Sequence, residues 1–336
     1  MKVKTKVCIA VFISVLLMAF VIFMAYHGEF FQNQSVITSN THTKRTVLFL
    51  SKSTNSAFWQ SAYAGANAAS TEYNMELICQ GPENEEDYET QNKMIEEAVE
   101  SGVDAIVFSA IDYEKNADAI NRAAEMGVKI IAVDSPVNSS KVECYIGTDN
   151  YEAGCIAGEE VIENHADRIY IGIVNFAEHT KNGQSREEGF RETVKADERC
   201  EIVSSINVHS SIESAREGTK NMLKHNSNIN VIATFNEWTS LGVGYAVQDL
   251  GLKNDIQVIA FDSNQICIEM LETGEIDTLI VQKPYAMGYL GVEKAYEVLQ
   301  NQTLDKTEIE TSSVVVERYN MYSDECQRVL FDFGTE

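Results

Sequence analysis

Two polar residues at the ends of apolar runs carry the first chemical signal in this chain. Val231-Ile232-Ala233-Thr234-Phe235 reads as a buried strand and ends in Asn236-Glu237-Trp238. Ile256 to Phe261 reads as a second strand and ends in Asp262-Ser263-Asn264. An amide and a carboxylate set side by side accept and donate several hydrogen bonds to hydroxyl groups. Phe235, Trp238 and Phe261 add aromatic surface beside them. Such a set suits a polyhydroxylated ligand, carbohydrate in type. The competing reading is a solvated strand end, because Asp and Asn are common in such loops.

The elements around these residues set their place. Between the two runs lies a helical pattern with Leu241, Val243, Tyr245, Ala246 and Leu250 on one side, and Gly251 stands where a C-cap glycine would. Strand, helix and strand make a βαβ unit with parallel strands and a right-handed crossover. In such sheets ligands bind beyond the carboxyl ends of the strands, where Asn236 and Asp262 both fall. The first half of the chain echoes this plan. Asp104 to Phe108 ends in Ser109-Ala110-Ile111-Asp112, and a helix carrying Ala117, Ile120, Ala123 and Ala124 closes at Met126-Gly127. Val128 to Val133 then leads into Asp134-Ser135-Pro136. AEMGVKIIAVDS (124–135) and QDLGLKNDIQVIAFDS (248–263) share one pattern, which predicts two alike lobes with Asp134 as the counterpart of Asp262.

The rest of the soluble chain alternates in the same way. Strands are expected at Val47–Leu50, Met75–Ile78, Ile169–Val174, Ile202–Ile206 and Thr278–Val281. Helices are expected behind Phe58-Trp59, over Asp87–Ser101, from Gly154-Cys155-Ile156-Ala157-Gly158, and through Phe190 after Gly183-Gln184-Ser185-Arg186. Continuous apolar strands alternating with helices indicate parallel sheets. Phe58 and Trp59 read either as the core of a helix start or as cleft-wall rings for the C–H faces of a sugar. Arg186 reads either as a surface residue paired with Glu187 or Glu188, or as a fixed fork of donors for ring and hydroxyl oxygens.

Composition narrows the function. The 336 residues correspond to about two domains, and 44% apolar content supports folded cores. A formal net charge of −25 argues against nucleic acid, whose phosphates require a basic patch. Six histidines show no metal spacing, and seven cysteines show neither CxxC nor a legible disulfide framework. Gly242-Val243-Gly244 begins like a dinucleotide fingerprint but lies inside a helix, away from the turn where those glycines must sit. No Walker loop and no nucleophile elbow is present. Lys2, Lys4 and Lys6 precede an uncharged run from Val7 to Tyr26. Twenty helical residues span roughly 30 Å, the thickness of a bilayer core. Phe23-Met24-Ala25-Tyr26 makes a poor cleavage site, so an uncleaved anchor is expected, with the lysines cytoplasmic and the bulk of the chain outside. His27 to Arg45 reads as a tether.

Several short stretches, taken in order, resemble the ribose-type periplasmic binding proteins, the class related to lactose-repressor ligand domains. They are 53–59, Val133-Asp134, 145–150, 185–190, Phe235-Asn236-Glu237, Ala260-Phe261-Asp262 and 281–284, spread over Thr46 to about Asn320. The resemblance implies stacking by Phe58 and Trp59 and hydroxyl contacts from Asp134, Arg186, Asn236, Asp262 and Gln282, with Lys52 and Ser109 at two further contact positions. It implies two lobes joined by a three-strand hinge; together with the alternating pattern and the N-terminal apolar run, the expected fold is α/β, two similar doubly wound parallel-sheet lobes with an N-terminal transmembrane helix. The hinge crossings fall near Thr148-Asp149, Gln282-Pro284 and Thr311-Val315. Residues 1–26 are then lysines and anchor, 27–45 tether, 46–148 plus 283–310 the N-lobe, and 149–282 plus 311–336 the C-lobe.

The chain departs from the ribose pattern at Ser135, where those binders carry Arg, and at Glu237, where Asp is usual. Trp238 adds bulk, and a contact aromatic of the second lobe is replaced near His209-Ser210. The implied ligand is therefore a monosaccharide, pentose or hexose, rather than ribose in particular. The expected protein partner is a sensor histidine kinase or an ABC permease, and no cofactor or metal is expected. The alternatives are a non-sugar polyol or autoinducer-like signal, and an enzyme acting on the bound sugar. Asp134 and Asp262 would resemble a glycosidase pair in that last case, although hydroxyl-binding carboxylates look the same in sequence.

Overall fold

The structure is a computed structural model that describes Met18 and residues 44–331, apart from 166 and 177. Among the described residues no helix is long and apolar enough to cross a membrane. The expected anchor over Val7–Tyr26, with Met18 excepted, and most of the tether lie outside the described residues.

Among the described residues, 45–331 form one compact unit, built from two six-stranded sheets. The first contains β1 (Thr46–Leu50), β2 (Glu76–Gln80), β3 (Ala105–Phe108), β4 (Lys129–Val133), β5 (Cys144–Thr148) and β11 (Glu308–Thr311), in the order β11-β5-β4-β3-β1-β2. The second contains β6 (Ile169–Phe176), β7 (Cys200–Val208), β8 (Val231–Thr234), β9 (Gln257–Phe261), β10 (Thr278–Val281) and β12 (Val314–Glu317), in the order β12-β10-β9-β8-β6-β7. The two orders are the same pattern, so the sequence echo is a true repeat of architecture. Central strands such as β3 and β8 are buried along their whole length, because helices cover both faces of a parallel sheet.

The helices are α1 (Ala57–Glu72), α2 (Tyr88–Ser101), α3 (Ala117–Glu125), α4 (Asn150–Glu163), α5 (Lys181–Lys195), α6 (Ile212–His225), α7 (Glu237–Leu250), α8 (Gln265–Thr273), α9 (Pro284–Leu299) and α10 (Asp324–Leu330). Short polar side chains start many of them: Ser56, Asp87, Asp149, Asn236 and Asn264 each accept a backbone N–H of the first turn. Gly251 closes α7 in the left-handed conformation, as its position after the last apolar residue predicts. Helices α1 and α9 meet at Gly65 and Gly288, and α4 and α5 at Gly154 and Gly189, where any Cβ would overlap a backbone carbonyl of the facing helix.

The chain passes between the sheets after β5, after β10 and after β11. All three passages leave from carboxyl ends of parallel strands, the edge of each lobe that faces the other. This explains one departure from the sequence expectation of parallel sheets. β12 pairs antiparallel with β10. The chain leaves β11 at the interlobe edge and enters the second sheet there after a two-residue link, so β12 runs away from that edge.

Candidate ligand-binding site

Both sheets reverse strand order beside their first strands, β1 and β6, and such switch points open a crevice beyond the carboxyl ends. The side chains that fill the crevice come from the loops leaving those strands and their neighbours. Lys52 follows β1, Ser109 follows β3 and Asp134 follows β4, while Asn236 follows β8, Asp262 follows β9 and Gln282 follows β10.

Asp134 is the centre of the first-lobe cluster. Lys52 Nζ lies 3.1 Å from its Oδ2 with both side chains buried, and Ser109 Oγ donates to the same oxygen at 3.0 Å. From the other lobe Asn182 Nδ2 donates to Oδ1 at 3.1 Å. Asp262 is the centre of the second cluster. Gln282 Nε2 donates to its Oδ1 at 2.6 Å, and the Gln282 carbonyl oxygen accepts from Arg186 Nη2 at 2.6 Å and Thr148 Oγ1 at 2.9 Å. Burial pushes the Asp262 carboxyl up to about 6, opposed by the Arg186 charge and the Gln282 hydrogen bond and helped by the carboxylates of Asp134 and Glu85.

Arg186 is 1% exposed, which removes the surface reading of this residue. Its Nε donates to Asn150 Oδ1 at 2.8 Å and its Nη1 to the Phe235 carbonyl at 2.7 Å, and its guanidinium lies over the Phe261 ring. The neighbouring Glu187 pairs with Arg191 instead. Phe235 and Phe261 are completely buried in the core of the second lobe. They correct the expectation of aromatic surface there: of that trio only Trp238 lines the cavity. On the other side the cavity is walled by Phe58 and Trp59, whose rings meet edge to face at 4.9 Å.

Asn236 serves two roles. Its Oδ1 accepts from the N–H and hydroxyl of Thr239 and so caps α7, as the strand-end reading holds. Its Nδ2 faces the cavity and donates to Ser210 Oγ at 2.8 Å. Eight of the nine expected contact residues line the cavity, and Ser109 stands behind Asp134.

Three partners escaped the sequence reading. Asn182 sits one helical turn before Arg186, and that i, i+4 spacing is the signal that places both on one face of α5. Glu85 lies in the β2–α2 loop, where no periodicity marks it. Glu237 was noted only as a departure from Asp. It reaches from α7 across the cleft to accept from the N–H groups of Ala57 and Phe58, both at 3.2 Å, and from Asn264 Nδ2 at 3.0 Å. Burial pushes its carboxyl up to about 7, with Phe58 N–H opposing and Asp262 adding to the shift.

These bonds hold the lobes closed. The cavity they enclose measures about 20 Å³, about the room for one water and far below the roughly 300–1,000 Å³ of small-molecule pockets. The lobes therefore have to part, and the carboxylates have to exchange protein donors for ligand donors, before a ligand enters.

Two α/β lobes closed over a polar cavity with aromatic walls define a cleft-type solute-binding protein. The chain belongs to the periplasmic binding protein domain family, whose sequence model matches residues 47–303. A D-ribose/D-allose-binding protein of Pseudomonas aeruginosa is 24% identical over 277 residues, covering 80% of this chain and 86% of that protein. A ribose import binding protein of Bacillus subtilis is 22% identical over 271 residues, covering 80% and 87%. Among solved structures, a carbohydrate transporter solute-binding protein from Agrobacterium radiobacter in complex with D-arabinose superposes with a TM-score of 0.83 at 25% identity, covering 86% of this chain and all of the other. An ABC transporter solute-binding protein from Agrobacterium vitis with bound D-fucose gives 0.82 at 28% identity, covering 85% and 100%.

Proposed function

We propose that the chain is an extracytoplasmic receptor that captures a monosaccharide between its lobes without transforming it. One observation carries this reading: each lobe offers a buried carboxylate at the same strand end, Asp134 and Asp262, into one cavity walled by Phe58, Trp59 and Trp238. Carboxylates and amides take hydroxyl donors, Arg186 and Lys52 donate to ring and hydroxyl oxygens, and the rings pack on C–H faces. One relative is named a ribose import binding protein and one structural neighbour an ABC transporter solute-binding protein, which supports delivery of the ligand to an ABC permease. Calorimetry of the full chain against pentoses, hexoses and non-sugar polyols tests the reading. Binding of a pentose or hexose is expected, and binding of a polyol alone would replace it. Recovery of chemically altered sugar by mass spectrometry would overturn the absence of turnover.

Anchoring through Val7–Tyr26 gives the proposal a second part, a sensor kinase as partner. A tethered receptor is held near a membrane partner at high effective concentration, so weak lobe contacts suffice. Removing residues 46–336 while keeping the anchor separates the two outputs. A sensor loses sugar-induced transcription while uptake by a transporter already made survives. Lost uptake with intact signalling favours the carrier.

A further inference from the structure

Glu85 has no role in the scheme above, yet it is buried in the cleft and touches both lobes. Its Oε1 accepts from Trp59 Nε1 at 3.0 Å. Its Oε2 accepts from Ser210 Oγ at 2.9 Å and faces Asn236 Nδ2 at 3.5 Å. All three donors are neutral. A carboxylate taken out of water without a cation is costly, and neutral donors offset only part of that cost. The next residue fastens the same loop across the mouth: Glu86 accepts from Ser210 N–H at 2.9 Å and lies 2.5 Å from His209 Nδ1.

The position of Glu85 is equally specific. It lines the inner cavity and also a separate interlobe groove of about 630 Å³ on the outer side, bordered by Tyr88, Ile111, His179 and His209. The carboxylate thus lies between a small inner cavity and a large outer groove. The groove has room for a further ligand unit, and the Glu85–Ser210 hydrogen bond spans the lobes between it and the inner cavity.

Building on the sugar-binding reading, we propose that Glu85 is a specificity-determining residue: it forms the end wall of the cleft, accepts a hydroxyl of the ligand there, and limits the ligand to a single unsubstituted sugar ring. A ligand hydroxyl at that end replaces Ser210 as donor to Oε2, while Trp59 remains on Oε1 and keeps its ring set as the side wall. A substituent on that hydroxyl removes the donor and collides with the clasp.

The test uses the full chain, its Glu85→Ala and Glu85→Gln variants, and D-ribose, D-allose, D-arabinose and D-fucose with their methyl glycosides as probes. Calorimetry of the wild type is expected to favour a free sugar over its glycoside. Glu85→Ala is expected to weaken the free sugar by at least about tenfold, the scale of one lost charged hydrogen bond, and to narrow or reverse that preference. Affinities within twofold of wild type with an unchanged preference overturn the proposal. If the wild type binds none of the probes, the sugar reading fails on its own, and the wall is judged by fluorescence. The chain has two tryptophans, Trp59 and Trp238, and both line the cavity. Acrylamide quenching is then expected to rise several-fold in Glu85→Ala but to stay near wild type in Glu85→Gln, which still accepts from the indole. Equal quenching in all three proteins, each with an unfolding midpoint showing that it is folded, overturns the wall.

Discussion

Asp134 and Asp262 occupy the same place in the two lobes, one residue beyond the fourth strand of each sheet, and both adopt left-handed backbone, with φ of 58° and 68°. Each N–H reaches the next strand, Asp134 to the Ile146 carbonyl and Asp262 to the Ile280 carbonyl. A non-glycine residue in that region is uncommon, and Asp tolerates it better than most. The left-handed turn stops the strand and directs a carboxylate into the cleft. The strain is stored at the two residues on which the ligand reading depends, which is where strained backbone tends to be retained.

Removing the second of these carboxylates tests its role. Asp262→Ala leaves the Gln282 amide without its acceptor and strands any ligand hydroxyl donor. The expected loss of ligand affinity is roughly 2–4 kcal/mol, the range for a charged hydrogen-bond partner and its stranded donors. Calorimetry with an identified ligand measures it. Unchanged affinity would remove Asp262 from the site.

Acid should stabilise the closed fold. Burial lifts the Glu237 carboxyl to about 7 and that of Asp262 to about 6, both above their values in an unfolded chain. Between about pH 4 and 7 the folded chain holds protons that the unfolded chain has released, so these groups contribute stability that is complete at low pH and lost as pH rises through 6 to 7. Asp197, lowered to about 2 by its hydrogen bond from Arg199, has the opposite dependence but titrates below this window. The melting temperature is expected to fall between about pH 4 and 7, with a shallower slope in Glu237→Gln. A flat wild-type profile contradicts the assignment.

The Lys52–Asp134 pair is buried on both sides, so breaking it should cost more than deleting it. Lys52→Met leaves a buried carboxylate with only neutral donors and is expected to destabilise by about 3–5 kcal/mol. Adding Asp134→Asn to that variant should recover much of the loss. Denaturant melts of the double-mutant cycle measure the coupling, and additive losses would show that the pair is not coupled.

Gly154→Ala should act on the site from behind. Its Cβ would overlap the Arg186 carbonyl oxygen, so α4 and α5 must separate and move the guanidinium off Asn150 and Gln282. Destabilisation of about 1–3 kcal/mol is expected from overpacking. Ligand affinity should fall with it, whereas Gly251→Ala, in a left-handed cap far from the cleft, should lower stability alone.

The legibility of the chain followed the physics of each feature. Apolar runs such as Val231–Thr234 were visible because both faces of a parallel strand are buried. Helix α9 has no counterpart among the expected elements, and the crossing expected near Thr311–Val315 marks only the junction of β11 and β12, since β11 mixes exposed and buried residues at a sheet edge and carries two glutamates. The strand-end positions of Asp134 and Asp262 followed from the repeat, but their left-handed backbone carries no local sequence signal beyond the residue type. Glu85 and Ser210 come from loops 125 residues apart. Only the closed packing brings them together, so no window of sequence holds the information.

The short link between β11 and β12 also governs the order in which the molecule can form. The first sheet is missing an edge strand, and α1 is missing its partner α9, until chain beyond residue 284 has emerged, after almost all of the second sheet. The second sheet in turn waits for β12, the last strand made. Neither lobe is completed by its own contiguous stretch of chain, so folding rests on pairings between residues far apart in sequence, the slow class. A nascent chain truncated before Glu308 exposes β5 and β10 as sheet edges in place of the short strands β11 and β12, and each offers unpaired backbone to another copy of the same chain.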